Sequence, residues 1–386
     1  MWLWRHWYRR WHGRVVAALR SSTWPVEALA DRPQPALSRV YRWAVERKRR
    51  WELSHTQRIA PPRVPVLSVG NVTFGATGKT PFVQFLVDYA LRTAGAGRGP
   101  LLLTRGYGDD EWRLLAAQFP ACRVALGGDR VVAGAAVVEQ LGGDAAPLSC
   151  IVLDDGLQQW RLVKDLEIVM VDALHPLGNG LLLPCGSLRE PPREALARAN
   201  VVVVHHADML REDEAQALVR SLRALVDPQR KPIVATSRMK AVGMVPATKL
   251  LSGDKGEGRK GSTAPLNGCA VLVVCGVGNP ESVKLVVEKL ARWTRMEVKA
   301  FPDHHAFTEG DAWDVVNWVR ELQTGGYNVV VATTEKDFAR SPVFMENLAG
   351  MVDLRVLQCK LELMQNGDQV KHCIDLCLGR ANELEI

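Results

Sequence analysis

The chain lacks most of what would make it a secreted, membrane-spanning or nucleic-acid-binding protein. Its eight cysteines (Cys122, Cys150, Cys185, Cys269, Cys275, Cys359, Cys373 and Cys377) include no C-x-x-C pair. Most stand in or beside apolar runs, so they read as buried thiols of a reducing compartment and argue against a disulfide framework or a zinc site. No uninterrupted apolar run approaches the ~18 residues of a spanning helix, so any membrane contact would be made from the surface. No internal repeat is visible. Excess positive charge is also missing from the body. Residues 1–50 carry twelve Lys/Arg against Glu27, Asp31 and Glu46, a surplus of nine where the whole chain has +7, which leaves −2 for the remainder. That balance argues against a nucleic-acid-binding body; the basic N-terminus suits an anionic membrane surface or an import receptor.

What is present is a globular composition, 47% apolar and 24% charged. At 386 residues the chain exceeds one ordinary core, so more than one folded unit is expected. Trp4, Trp7, Trp11, Val15 and Leu19 recur at helical spacing, with Arg5, Arg9 and His12 off that face. Residues 1–19 therefore read as an amphipathic helix, and residues 1–22 as the segment that would meet a membrane surface. It could lie in the headgroup layer, serve as an organellar presequence, or dock on the body. A second basic helix is expected over residues 36–51, with Leu37, Val40, Tyr41 and Ala44 on one face and the cluster Arg47-Lys48-Arg49-Arg50.

The stretch Val66-Leu-Ser-Val-Gly-Asn-Val-Thr-Phe-Gly-Ala-Thr-Gly-Lys-Thr-Pro81 organises the rest of the chain. A β-branched run breaks into a glycine-containing loop that ends where a helix-spaced apolar segment begins. Gly75, Ala76, Thr77, Gly78, Lys79 and Thr80 could wrap an anion with backbone N–H groups. Lys79 would reach the terminal phosphates of ATP, and the Thr80 hydroxyl would face Mg²⁺. The usual spacing places a glycine at position 73, where this chain has Thr73. A chance Gly-Lys-Thr in a surface turn is the plain alternative.

From residue 66 to about 230, apolar runs at 66–69, 101–104, 124–126, 150–153, 167–171, 201–204 and 233–235 alternate with helical patterns. They predict an α/β fold, a P-loop NTPase-type parallel sheet with helices on both faces. A smaller C-terminal α/β domain is expected from Cys269. The expected units are residues 1–50 (basic N-terminal helices), 51–235 (the phosphate-loop core, which the family resemblance given below makes a kinase core), 236–268 (linker with a polar, glycine-rich loop) and 269–386 (a smaller α/β domain, which the same resemblance implies closes on the site). Ligands of such sheets collect at the carboxyl ends of strands. There the chain places Asp109-Asp110-Glu111, Asp154-Asp155-Gly-Leu-Gln158, the loop bearing Arg189 and Glu190, and His205-His206. The Asp154/Asp155 pair stands where a P-loop enzyme holds Mg²⁺; which of the two contacts the metal is left open. His205 and His206 read as caps or solvated turn residues. Gly276-Val-Gly-Asn-Pro280 lacks the third glycine of a dinucleotide fingerprint.

Taken in order, the set resembles the tetraacyldisaccharide 4′-kinase (lipid A 4′-kinase) family. The resemblance runs through Ser68-Val-Gly-Asn-Val-Thr-Phe-Gly-Ala-Thr-Gly-Lys-Thr-Pro81, Thr104-Arg-Gly-Tyr-Gly108, Asp110-Glu111, Asp154-Asp-Gly-Leu-Gln158, Gly178-Asn-Gly180, Leu183-Pro184, Leu188-Arg-Glu-Pro191, Gly278-Asn-Pro280, Phe301-Pro-Asp-His304 and Thr334-Glu-Lys-Asp337. That family also has a residue other than glycine at the position of Thr73. The resemblance implies ATP-dependent phosphorylation of the 4′-hydroxyl of a tetraacyl disaccharide 1-phosphate. Asp110 would be the general base with His304 paired to it. Lys79 and the loop amides would hold phosphate. Glu111, Arg130, Arg189, Glu190 and Gln158 would form the surrounding charged and polar shell. Two departures are the near absence of an insertion before Asp110 and Asp109 in place of glycine. The short loop and the presequence-like start resemble organellar members of photosynthetic eukaryotes, which implies a peripheral protein on the reducing side of a mitochondrial or plastid inner membrane. The cytosolic face of a bacterial inner membrane is the alternative. Other readings are a kinase of another lipid or sugar and a nucleotide-dependent switch NTPase; oligomeric state stays open.

Overall fold

The computed structural model describes residues 26–75, 77–95, 97–106, 109–226, 232–251, 266–303 and 305–379, with only the backbone of 109–111. The expected amphipathic helix at 1–19 and the polar loop near residue 255 lie outside the described residues. The first long helix, α1 (Ala36–Leu53), is where the basic pattern predicts it. Its inner and outer faces are divided differently. Leu37, Val40 and Ala44 point outward, whereas Tyr41 turns inward against the body.

Among the described residues, eleven strands form one continuous sheet in the order β3-β2-β4-β1-β5-β6-β7-β11-β10-β8-β9. The first lobe comprises β1 (Val66–Asn71), β2 (Gly99–Thr104), β3 (Arg123–Leu126), β4 (Leu148–Asp154), β5 (Leu166–Asp172), β6 (Val201–His205) and β7 (Ile233–Pro246). The second comprises β8 (Ala270–Cys275), β9 (Arg295–Ala300), β10 (Val329–Thr334) and β11 (Leu354–Leu363). All neighbours within each lobe are parallel, as the continuous apolar runs require. Strand β1 sits centrally between β4 and β5, so the chain reverses its direction of winding there. The loop leaving β1 thus opens into the crevice where ligands of open α/β sheets bind.

The helices that matter here are α2 (Lys79–Thr93), α3 (Asp109–Gln118), α4 (Arg130–Gln140), α5 (Glu335–Arg340) and α6 (Gly367–Cys377). Helix α2 buries Phe82, Val83, Leu86, Val87 and Ala90 against Leu67 and Val69 of β1 and Leu102 of β2. Truncating Phe82 to alanine in such a core costs about 3–5 kcal/mol.

The lobes are more closely joined than the expected boundaries suggest. Strand β7 runs through the expected boundary between 235 and 236 and pairs antiparallel with β11, a strand that the sequence pattern does not announce. Residues 236–246, the first part of the expected linker, belong to this ribbon. Arg238 and Lys240 both pair with Glu362 on β11. Helix α6, assigned by sequence to the second unit, packs Val370 and Ile374 into the first lobe's core, and Tyr89 on α2 donates to Asp375 at 2.8 Å.

Candidate active site

The phosphate loop is closed from within and braced from outside. Asn71, fully buried at the end of β1, donates through Nδ2 to the Thr73 carbonyl and to Thr77 Oγ1 at 2.9 Å. The bracing comes from residues 187–189. Phe74 N donates to the Ser187 carbonyl at 2.8 Å, Thr73 bridges Leu188, and Arg189 N donates to the Val72 carbonyl at 2.9 Å. Position 73 is therefore extended and strand-paired, so it needs no glycine; a β-branched residue suits it. Gly78 is different. Its φ of +82° is left-handed, and it caps α2 so that Lys79 and Thr80 begin the helix. The helix N-terminus supplies free N–H groups and a partial positive charge to an anion held there. Ala76 lies outside the described residues.

The carboxylates come from β4. Asp154 is in register with Val69 of β1 and accepts from Thr104 Oγ1 at 2.9 Å. Asp155 comes next, in the left-handed region with φ +56°. One of its oxygens lies 3.8 Å from Lys79 Nζ and 2.6 Å from an Arg189 nitrogen. Burial alone raises the Asp155 pKa, but the charges of Lys79, Arg189 and Arg130 outweigh it and hold the carboxyl below its ordinary range. Arg130 is almost fully buried at the start of α4 and contributes to Asp155 through its charge.

Arg189 is held on several sides. Its guanidinium donates to Asp155 and to Gln158 Oε1 at 3.1 Å, and it stacks 4.3 Å from the centroid of Phe74. Gln158 donates in turn to Glu190 at 2.9 Å, and Glu190, with no exposed side-chain surface, is paired with Arg198 at 2.7 Å. Lys164 donates to the Gly156 carbonyl and pairs with Glu167, pinning the turn that presents Asp155.

The structure thus brings together Thr77, Gly78, Lys79, Arg130, Asp155, Gln158, Arg189 and Glu190. Asp110 and Glu111 start helix α3, but their side chains, like His304, lie outside the described residues. Helix α3 lies beside α5 of the second lobe. The N-terminus of α5 is fixed by buried Asp337, which accepts from Thr334 Oγ1 at 2.7 Å and Gly276 N at 3.1 Å and pairs with Arg340.

The reading of His205 and His206 as solvated residues is corrected here. Both are buried. His205 shares a hydrogen bond with Ser237 Oγ (2.9 Å), and His206 with Asp172 (3.1 Å). The His205 ring lies directly beneath Gly78, where a Cβ would fall 2.3 Å from its Cδ2. Burial, with the neighbouring His206, lowers its pKa well below the ordinary value, so the ring is neutral. A signal was available: a histidine closing a strand of four valines is well placed to be part of a buried layer.

Known proteins resemble this chain over most of its length. The family model for tetraacyldisaccharide-1-P 4′-kinase matches residues 35–112 and 108–377. The tetraacyldisaccharide 4′-kinase of Anaeromyxobacter dehalogenans (strain 2CP-1) is 36% identical over 338 residues, 82% of each chain. An Arabidopsis thaliana protein named probable tetraacyldisaccharide 4′-kinase, mitochondrial, is 32% identical over 312 residues, 74% of each chain. Among solved structures, LpxK from Aquifex aeolicus in complex with ATP superimposes with a TM-score of 0.56 at 20% identity, covering 89% of this chain and 97% of that one, and shares the fold.

Proposed function

The chain belongs to the tetraacyldisaccharide 4′-kinase family, and from that premise we propose that it transfers the γ-phosphate of ATP to the 4′-hydroxyl of a tetraacyl disaccharide 1-phosphate, a lipid A precursor, at a membrane surface. The observation that carries the reading to particular side chains is the convergence of Lys79 and Arg189 on Asp155 beside the phosphate loop. Phosphoryl transfer asks a protein for positioning and for charge placed where the phosphate oxygens will be. Lys79 and the amides of residues 75–80 hold the nucleotide phosphates, and Arg189, pre-aimed by Phe74 and Gln158, faces the same region. Asp155 orients both cations.

A divalent cation fits the hard oxygen donors here, the Thr80 hydroxyl and the Asp154 carboxylate at the end of β4. Bound there, Mg²⁺ neutralises phosphate charge. Asp155 is engaged by two cations, which favours Asp154 as the metal-side carboxylate. In the role that the family resemblance implies, Asp110 would take the proton of the sugar hydroxyl, His304 would be its partner, and Glu111 and Arg130 would add to the local field. Closure of the second lobe completes this arrangement.

The acceptor carries four acyl chains, so it must be met at a lipid surface. Among the described residues no helix is long and apolar enough to cross a membrane. Helix α1 presents Leu37, Val40, Trp43 and Trp51 at 56–65% exposure, flanked by exposed Arg39, Arg47 and Arg50. That face suits the headgroup layer of an anionic leaflet, with residues 1–22 as its companion. The mitochondrial label of the Arabidopsis relative supports an organellar location.

The test is full-length protein with ATP, Mg²⁺ and the tetraacyl disaccharide 1-phosphate in phospholipid vesicles. The expected result is a 4′-phosphorylated product that disappears with chelator and with Asp110→Ala, the latter retaining nucleotide binding. ATP hydrolysis indifferent to the lipid, with no phosphorylated lipid formed, overturns the reading.

A further inference from the structure

Helix α1 and the segment leading into it are fastened to the loop that carries Arg189 and to the short helix that follows (Pro192–Leu196). Gln34 Oε1 accepts from Leu182 N at 2.8 Å, and its Nε2 donates to the Gly180 carbonyl at 2.9 Å. Ser38, fully buried, donates to the Leu182 carbonyl at 2.7 Å. Arg42 and Arg49 both reach Glu194, and Arg193 makes a two-point pair with Asp31. Closest to the chemistry, Tyr41 Oη donates to the Arg189 carbonyl at 2.9 Å. The N–H of Arg189 is held on the other side by the Val72 carbonyl. The backbone of Arg189 is thus clamped between the exit of the phosphate-loop strand and α1.

The placement on α1 gives this clamp a second property. Leu37, Val40, Trp43, Arg47 and Trp51 lie on the outer half of the helix, whereas Ser38 and Tyr41 lie on the inner half. A helix moves as a rigid rod over such short distances, so a shift imposed on the outer face reaches the inner one. Burial pushes the Tyr41 hydroxyl up to about 12, which keeps it a donor throughout the physiological range. A displacement of about 1 Å in a positioning group can cost about 10²-fold in rate.

We propose that Tyr41, assisted by Ser38, is a positioning residue for phosphoryl transfer: it sets the backbone of Arg189 and transmits docking of α1 on an anionic lipid surface to the arginine that faces the phosphates. The inference rests on the kinase and lipid-surface reading above. It adds that α1 is part of the catalytic apparatus as well as an anchor.

The experiment uses the full chain with Tyr41→Phe, which keeps the ring and removes one oxygen. Turnover is measured with acceptor in uncharged detergent and in vesicles containing phosphatidylglycerol, alongside vesicle flotation and KM for ATP. The wild type is expected to run faster on the anionic vesicles. Tyr41→Phe is expected to float as the wild type does, to keep its KM for ATP, and to run equally in both media, about tenfold below the wild-type vesicle rate, as loss of one well-placed hydrogen bond allows. Ser38→Ala should move the same way to a smaller extent. A Tyr41→Phe enzyme that keeps the wild-type stimulation overturns the proposal, as does a fall in flotation or ATP affinity in step with turnover, or a wild type indifferent to the vesicles. A wild type that makes no phosphorylated lipid refutes the underlying kinase reading instead.

Discussion

Gly78→Ala tests the floor of the phosphate loop. The structure sets two separate costs against it. The first is conformational: φ is +82° at this position, and an L-residue in the left-handed region loses roughly 1–2 kcal/mol. The second is steric. The new Cβ would lie 2.3 Å from His205 Cδ2 and 2.6 Å from its Cγ, well inside contact distance. His205 cannot easily yield, because it is 1% exposed, hydrogen-bonded to Ser237 and packed 4.0 Å from the ring of His206. Overpacking of this kind costs about 1–3 kcal/mol. The sum, on the order of 2–5 kcal/mol, divides between global stability and displacement of the loop amides. If about 3 kcal/mol of it falls on the loop, ATP affinity drops by about two orders of magnitude. Titration with a fluorescent ATP analogue, paired with a thermal melt, reads both parts. The double variant Gly78→Ala/His205→Ala removes the collision and leaves the backbone cost, so it should regain roughly tenfold of the lost affinity. Wild-type affinity in Gly78→Ala would refute the geometry. A double variant no better than the single would show that the His205 ring is not the obstacle.

The same network sets further outcomes. Asp155→Asn leaves Lys79 and Arg189 facing each other without their shared counter-charge, and kcat should fall by about 10²-fold or more. Asp155 has a lowered folded pKa, so its stabilising contribution is present above the ordinary carboxylate range and is lost as pH falls through the lowered value. The wild-type stability advantage over Asp155→Asn, measured by denaturant titration, should therefore shrink on acidification; an advantage growing towards acid contradicts the assignment. Glu190→Ala strands Arg198 and Gln158 beside a buried vacancy and should destabilise by about 3 kcal/mol in urea melts. A loss below about 0.5 kcal/mol, the level of an exposed pair, would argue that Glu190 is hydrated. Burial pushes Cys122 up to about 11 and Cys275 and Cys377 up to about 12, so these thiols should resist alkylation at about pH 8 until the protein is unfolded. Rapid labelling of the native protein at these positions would contradict that. Replacing Leu37, Val40 and Trp43 with glutamate should abolish flotation on anionic vesicles without changing ATP binding, and unchanged flotation would remove α1 from the lipid face.

Much of the parallel sheet was legible because most strands of the first lobe are short, continuous apolar runs bounded by turn residues. The phosphate loop was legible for a related reason: its chemistry is carried by neighbours in the chain, from Gly75 to Thr80. Strand β11 was harder to see. Its Leu-Arg-Val-Leu-Gln-Cys-Lys-Leu-Glu-Leu sequence mixes polar and apolar positions: it pairs with β7 from Arg355 to Leu363, but β10 lies on its other side only over Leu354–Leu357. Within the expected linker, Arg238 and Lys240 are satisfied by Glu362 across two strands far apart in the chain, a pairing that no local pattern announces.

The sequence by itself determined the local elements of this protein: a strand that runs into an anion-binding loop, carboxylates at strand ends, and a helix with a basic and aromatic face. Those features depend on backbone preference and on side-chain periodicity over a few residues. Only the tertiary structure decided which strand ends meet. It laid His205 beneath Gly78, paired Thr73 with Leu188, aimed Arg189 at Asp155 and turned Tyr41 inward to hold the arginine loop. These pairings depend on strand order and on close packing between distant segments, and no short window of sequence carries that information.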